Sequence, residues 1–147
     1  MHMIALASDH AGFEYKEKLK KLLDELQQPY RDFGPPTNAR TDYPEWGHIA
    51  SEAISTGQCD RGILICGTGI GMSIVANKHT GVRAAACESV SAARLARQHN
   101  NANVLTIGER LTGWEAVLDI VKMFLSASFE GGRHAERVSK IHSLTKL

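Results

Sequence analysis

Ile63-Leu64-Ile65-Cys66-Gly67-Thr68-Gly69-Ile70-Gly71-Met72-Ser73 runs from an unbroken apolar stretch into a cysteine and then into three alternating glycines. A short apolar run closed by a turn signal reads as a fully buried strand. The segment from Ile70 onward reads as a helix. A strand that passes to a helix through glycines predicts a parallel α/β unit, with Cys66 delivered to the mouth of the helix. Glycines there let backbone N–H groups come close to a bound anion. A thiol and an anion cradle on one turn point to chemistry. The plain alternative is a tight strand-to-helix turn with a structural cysteine.

The same alternation extends in both directions. Met3–Ser8 reads as the first strand, and Gly12–Leu26 as a helix with Phe13, Leu19, Leu22, Leu23 and Leu26 at helical spacing. Pro29–Phe33 is a weaker strand, stopped by Gly34-Pro35-Pro36. Glu45–Ser55 follows as a helix that places Trp46, Ile49, Ala50 and Ile54 on one side. Gly62–Cys66 and Ile70–His79 form the central pair, and Val82–Cys87, Ser89–His99, Asn103–Ile107 and Trp114–Leu125 read as strand, helix, strand, helix. Five such units predict a Rossmann-like three-layer α/β/α sandwich around a five-stranded parallel sheet, in one domain over residues 1–147. Phe129-Glu130-Gly131-Gly132 breaks the fifth helix, and Arg133–Leu144 reads as an extra C-terminal helix. Val138, Ile141 and Leu144, three apart, give that helix an apolar face for a partner subunit or for its own sheet.

Composition narrows the function classes. With 43% hydrophobic and 22% charged residues in 147, the chain has the makeup of an ordinary globular protein. A net charge of +1 gives no electrostatic case for nucleic acid or a membrane surface. No apolar run reaches the ~18 residues of a membrane span, and Asp9-His10 cuts short the apolar N-terminus that a signal peptide needs. Three cysteines, Cys59, Cys66 and Cys87, argue against a disulfide framework and for a reducing cytoplasm. Neither CxxC nor HExxH spacing occurs, so no metal site is expected.

Ligands on parallel sheets bind beyond the carboxyl ends of the strands, near the switch point of strand order. Asp9-His10, Cys66 to Gly71 and Arg110 all follow strands. The loop does not fit three common patterns. A Walker loop needs GxxxxGK[ST], and no Lys follows Gly71. A dinucleotide fingerprint needs GxGxxG, whereas position 72 is Met. A cysteine-phosphatase loop carries an Arg six residues after the thiol, and that position is again Met72. A cysteine beside an oxyanion or phosphate cradle survives, and a thiol at a helix N-terminus gains thiolate character. Other candidates have plain readings: Asp9 serves equally as a helix cap, while by themselves His99 reads better as a cation at a helix C-terminus and Arg133 and Arg137 as a solvated pair at i, i+4.

Six segments in order across nearly the whole chain resemble the type B ribose-5-phosphate isomerase family, which includes the galactose-6-phosphate isomerase subunits. They are Ser8-Asp9-His10-Ala11-Gly12, Arg40-Thr41-Asp42-Tyr43-Pro44, Gly62 to Gly71 with Ala76-Asn77-Lys78, Arg97-Gln98-His99-Asn100, Asn103-Val104-Leu105, and Glu130-Gly131-Gly132-Arg133-His134. Cys66 separates this chain from members that carry Ser there and use a loop Glu as base, because Met72-Ser73-Ile74-Val75 offers no such Glu. The resemblance implies aldose–ketose isomerisation of a sugar phosphate, without metal or cofactor. It further implies ribose 5-phosphate and ribulose 5-phosphate as the reactants, in the non-oxidative branch of the pentose phosphate pathway. On this resemblance Cys66 is the base that moves a proton between C2 and C1. His99 opens the sugar ring, assisted by Asp9 and Thr68. Backbone N–H groups of Gly67, Thr68, Gly69, Ile70 and Gly71 stabilise the enediolate. Asp9, His10 and Asn100 hold hydroxyls, and Arg110, Arg133 and Arg137 hold the phosphate. The family's site lies at a dimer interface, so a homodimer or a dimer of dimers is implied, with some of these residues from the partner. The rival readings are the same chemistry on allose or galactose 6-phosphate, and a non-catalytic phosphosugar-binding module.

Overall fold

The computed structural model describes residues 2–147; Met1, the first residue of the expected domain, lies outside the described residues. The element order is β1 (Ile4–Ser8), α1 (Phe13–Glu25), β2 (Tyr30–Asp32), α2 (Tyr43–Ser55), β3 (Arg61–Cys66), α3 (Ile70–Ala76), β4 (Ala84–Ala86), α4 (Val90–Asn100), β5 (Val104–Gly108), α5 (Trp114–Ser126) and α6 (Arg133–Thr145). All five strands join one parallel sheet in the order β2-β1-β3-β5-β4. The fold is the expected Rossmann-like α/β architecture with an extra C-terminal helix.

Side-chain alternation along the strands sorts the helices into two layers. Ile4, Leu6, Ile63, Ile65, Leu105 and Ile107 face a core filled by α1, α4 and α5, through residues such as Leu19, Leu23, Ala93, Val117 and Phe124. Ala5, Ala7, Leu64 and Cys66 face the other way, onto α2 and α3, where Ala50, Ala53, Met72 and Ala76 fill a smaller core. Cys66 therefore belongs to the α2–α3 side by strand register. Strand order reverses between β1 and β3, and the two loops that leave their carboxyl ends carry Asp9-His10 and Cys66 to Gly69.

Most boundaries fall within one residue of the sequence expectation, and three elements depart by two or more. Helix α2 starts at Tyr43 rather than Glu45, because Pro44 sits in its first turn, where a missing N–H costs nothing. Helix α3 ends at Ala76 rather than His79: Lys78 and His79 donate to Val75 and Ala76, the tighter three-residue spacing of a closing turn. Strand β4 keeps only Ala84–Ala86, so Cys87 lies just beyond it. The Asn77 side chain brackets this edge strand: its amide donates to the Ala84 carbonyl at 3.0 Å, and its oxygen accepts from the Ala84 N–H at 2.8 Å.

Helix α6 lies partly on its own chain. It packs against α4, and Arg83 bonds His142 at 2.9 Å. Only His134 of this helix is buried, while Ile141 and Leu144 remain exposed.

Candidate active site

The β1 and β3 loops, the start of α2 and the β5–α5 turn enclose a cavity of about 430 Å³. Asp9, His10, Cys66, Gly67, Thr68, Ile70, Gly71 and Arg110 line it, together with Ala11, Tyr43 and Ile74.

The turn after β3 fixes the thiol. Cys66 is buried, and its Sγ accepts the backbone N–H of Gly69 at 3.2 Å. That geometry needs Gly69 in the left-handed region, at φ +77°. A Cβ there would lie 2.9 Å from the Ile107 carbonyl carbon, so β5 also excludes any side chain. Thr106 Oγ1 donates to the Gly69 carbonyl at 2.8 Å and locks the turn from below. Thr68 Oγ1 accepts from the Ile70 N–H at 3.2 Å. The other two thiols lack such a setting. Burial pushes Cys59 up, and it pushes Cys87 up to about 11, as suits unreactive core thiols.

The remaining walls are held from behind. Asp9 Oδ1 accepts from the Gly12 N–H at 3.0 Å and closes the turn before α1; the N-cap is Gly12, without a side-chain capping bond, so Asp9 is not the helix cap that the sequence suggests. Its other oxygen has no protein hydrogen bond among the described residues, and Asp9 lines the cavity. His10 Nδ1 sits 2.9 Å from the Thr41 carbonyl and 3.2 Å from the Thr41 N–H, which fixes the ring whichever tautomer it adopts. Arg110 lies across Gly67, where an added Cβ would come within 3.1 Å of its Nη1. Its backbone N–H donates to the Gly67 carbonyl at 3.0 Å. Neighbouring Glu109 accepts the Tyr15 N–H at 2.8 Å and ties this turn to α1. Burial pushes the Glu109 carboxyl up, only partly opposed by the Tyr15 N–H.

His99, Asn100, Arg133 and Arg137 are not in this cavity. Helix α4 returns the chain from β4 to the start of β5, so its last residues His99 and Asn100 lie at the opposite end of the sheet from Cys66. There His99 stacks on His134, with ring centroids 4.3 Å apart and planes 10° apart. Glu130 lies 3.9 Å from the Nε2 of each ring. Arg133 and Arg137 are exposed on α6, and Asn100 lines a separate cavity of about 370 Å³ beside Arg83 and His142. One chain therefore carries two separate sets of candidate residues, one lining the Cys66 cavity and one at the other end of the sheet.

Tyr43 was given no role from the sequence. Its ring covers Gly71, where an added Cβ would lie 2.6 Å from the ring, and it forms one wall of the cavity. The available signal was an aromatic residue in the Arg40-Thr41-Asp42-Tyr43-Pro44 segment.

The model of a family described as ribose/galactose isomerase matches residues 4–141. The chain is 44% identical to ribose-5-phosphate isomerase B of Escherichia coli, over 98% of this chain and 97% of that one. It is 41% identical to D-erythrulose-4-phosphate isomerase of Pectobacterium atrosepticum, over 96% and 93% of the two chains. The solved structure of ribose-5-phosphate isomerase B from Clostridium thermocellum superposes with a TM-score of 0.96 at 47% identity, covering 98% of this chain and 97% of that one.

Proposed function

Since the chain belongs to the ribose/galactose isomerase family, we propose that this isomerase interconverts ribose 5-phosphate and ribulose 5-phosphate through an enediolate. Cys66 takes the C2 proton of the open-chain aldose and returns it to C1, while the C2 hydroxyl proton passes to the C1 oxygen. The negative charge that develops on the substrate oxygens faces the backbone N–H groups of the Gly67–Gly71 turn. The observation that carries this reading is a thiol held by the Gly69 N–H at 3.2 Å, in a cavity that also holds Asp9, His10 and Arg110. A base at the carbon, N–H donors at the oxygens and a cation for the remote phosphate are what proton transfer next to a carbonyl requires.

The site is completed by a second copy of the chain. His99 of the partner subunit opens the sugar ring, with Asp9 and Thr68 assisting. Asp9, His10 and Asn100 of the partner subunit hold hydroxyls. Arg110, with Arg133 and Arg137 of the partner subunit, holds the phosphate. The separation of the two residue sets to opposite ends of the sheet within one chain supports this homodimer. The reaction belongs to the non-oxidative branch of the pentose phosphate pathway, in the cytoplasm. Among the described residues, no helix is long and apolar enough to cross a membrane.

The rival reading keeps the chemistry and changes the carbon chain. The Pectobacterium relative is named for a four-carbon phosphate, and allose and galactose 6-phosphate are the six-carbon candidates. Turnover on aldose phosphates of four, five and six carbons tests the choice. The five-carbon reading expects the highest kcat/KM for ribose 5-phosphate. A higher value for either other length overturns it, and a protein that binds these phosphates without turnover is a binding module.

A further inference from the structure

Three side chains on the α2–α3 side meet without any part in the isomerase reading. His48 and Glu52 stand one turn apart on α2, and His79 comes from the turn that closes α3. His79 Nε2 lies 2.8 Å from His48 Nδ1 and 4.0 Å from Glu52 Oε2. The three ligand atoms all fall within 4.8 Å of one another.

The hydrogen bonds set the direction of the rings. His79 Nδ1 lies 3.0 Å from the Val75 carbonyl and 3.3 Å from the Ala76 carbonyl. Both neighbours are acceptors, so Nδ1 carries the hydrogen and Nε2 presents its lone pair. A ring nitrogen pinned by a backbone carbonyl is how metal-ligating histidines are oriented. The His79 side chain is 10% exposed, whereas Glu52 is 56% exposed. The cluster therefore has a fixed floor and an open mouth.

We propose that His48, Glu52 and His79 bind a divalent transition-metal ion of the zinc class, with water as the fourth ligand. Two imidazoles and one carboxylate are a donor set that Zn²⁺ accepts in tetrahedral geometry. Zinc–nitrogen bonds of about 2.0–2.1 Å put the two nitrogens roughly 3.4 Å apart. The His48–His79 pair therefore opens slightly from its present 2.8 Å. His48 Nδ1, which donates to His79 in the free pair, gives up that hydrogen, and Nε2 takes one up, so the ring changes tautomer. The proton passes through water and no net charge is created on the ring.

The ion would clamp α2 to the end of α3. These helices are already closely fitted: a Cβ on Gly47 would lie 2.7 Å from the Met72 sulfur. Both begin at the cavity, α2 at Tyr43 and α3 at Ile70, so the clamp joins the middle and last turn of α2 to the turn after α3 without entering it.

Zinc and cobalt(II) titrations of the full-length chain test the proposal. Two other places could take a soft divalent ion, the Cys66 thiol and the His99–Glu130–His134 group, so variants of each serve as controls. Cobalt is expected to give visible ligand-field bands without a thiolate charge-transfer band. His48→Gln and Glu52→Gln, both at exposed positions, are expected to weaken binding by roughly tenfold or more. Cys66→Ser and His134→Gln are expected to leave the bands intact, and zinc is expected to raise Tm in the wild type but not in His48→Gln. The proposal falls if the wild type binds neither ion. It falls equally if His48→Gln binds like the wild type, or if the bands vanish only in Cys66→Ser or His134→Gln.

Discussion

The Gly69 backbone N–H donates to the Cys66 sulfur at 3.2 Å, so one tight turn both presents the thiol and holds it. The bond exists only because residue 69 adopts φ +77° against the backbone of β5. Gly69→Ala forces a methyl group toward the Ile107 carbonyl carbon and strains the backbone. The expected cost is ~1–3 kcal/mol of stability. A drop in kcat/KM of roughly tenfold or more should accompany it, because the strained turn draws the N–H away from the Cys66 sulfur and misplaces the thiol. Urea unfolding and steady-state kinetics on one preparation check both. Lowered stability with unchanged kcat/KM would remove this N–H from the chemistry.

Cys66→Ala removes the proposed base from a buried position without adding bulk. Turnover is expected to fall by about 10²–10⁴, the usual share of a positioned acid or base. KM and Tm should stay near wild type, since the phosphate contacts lie elsewhere. Near-normal isomerisation by this variant, followed by the loss of the ribose 5-phosphate signal, would end the Cys66 assignment.

Sharing of the site between two chains predicts complementation. Cys66→Ala and Arg137→Ala homodimers should each be nearly inactive. Mixed at equal amounts and re-formed, they should recover about a quarter of wild-type activity, because half of the pairs are hybrids and each hybrid has one intact site under twofold symmetry. Subunit-exchanged samples that are folded, dimeric and inactive would place all the machinery within one chain.

The Lys16–Asp32 pair should govern acid stability. Lys16 is 1% exposed, and its Nζ donates to both Asp32 oxygens at 2.9 Å and to the Pro35 carbonyl at 2.8 Å. Lys16→Met strands the Pro35 carbonyl and leaves Asp32 only Lys20 and the Gly34 N–H, at an expected cost of about 2–4 kcal/mol. Burial alone would raise the Asp32 carboxyl, but hydrogen bonds from Lys16, the Gly34 N–H and Lys20 outweigh it and hold the group below the ordinary value. A depressed folded-state value means that the contribution is complete above the unfolded value of about 3.9 and is lost as pH falls through the lower folded one. The Tm difference between wild type and Asp32→Asn should therefore be level at neutral pH and shrink as pH drops below about 4. A difference that stays constant down to pH 2 would contradict this.

Much of this structure was legible before any coordinates. Apolar runs closed by turns located all five strands, and helical spacing located all six helices; the central strands and α1, α2, α4 and α5 carry buried faces, whereas β2, β4 and α6 were found by pattern although little of them is buried. The boundaries moved where local chemistry overrode periodicity, as with Pro44 at the start of α2 and the closing turn at His79. The cavity was legible for residues that directly follow strands: Asp9, His10, Cys66 and Arg110. Tyr43 was missed because it reaches the cavity from the start of a helix, a placement that sequence spacing does not encode. The His48–Glu52–His79 group was missed for a related reason. Its third member is supplied by tertiary packing, so no linear motif announces it.

Cys66 and His99 hang on different elements at opposite ends of the sheet, and this bears on how such a gene can diverge. The strand, turn and core that support Cys66 do not depend on the imidazole at the end of α4. A duplicated copy that lost only His99 would keep its fold, and under the proposed sharing of the site a neighbour that retained the histidine would still serve it. On that proposal the two halves of the site can be inherited separately, and a pair of specialised, mutually dependent chains lies one gene duplication away.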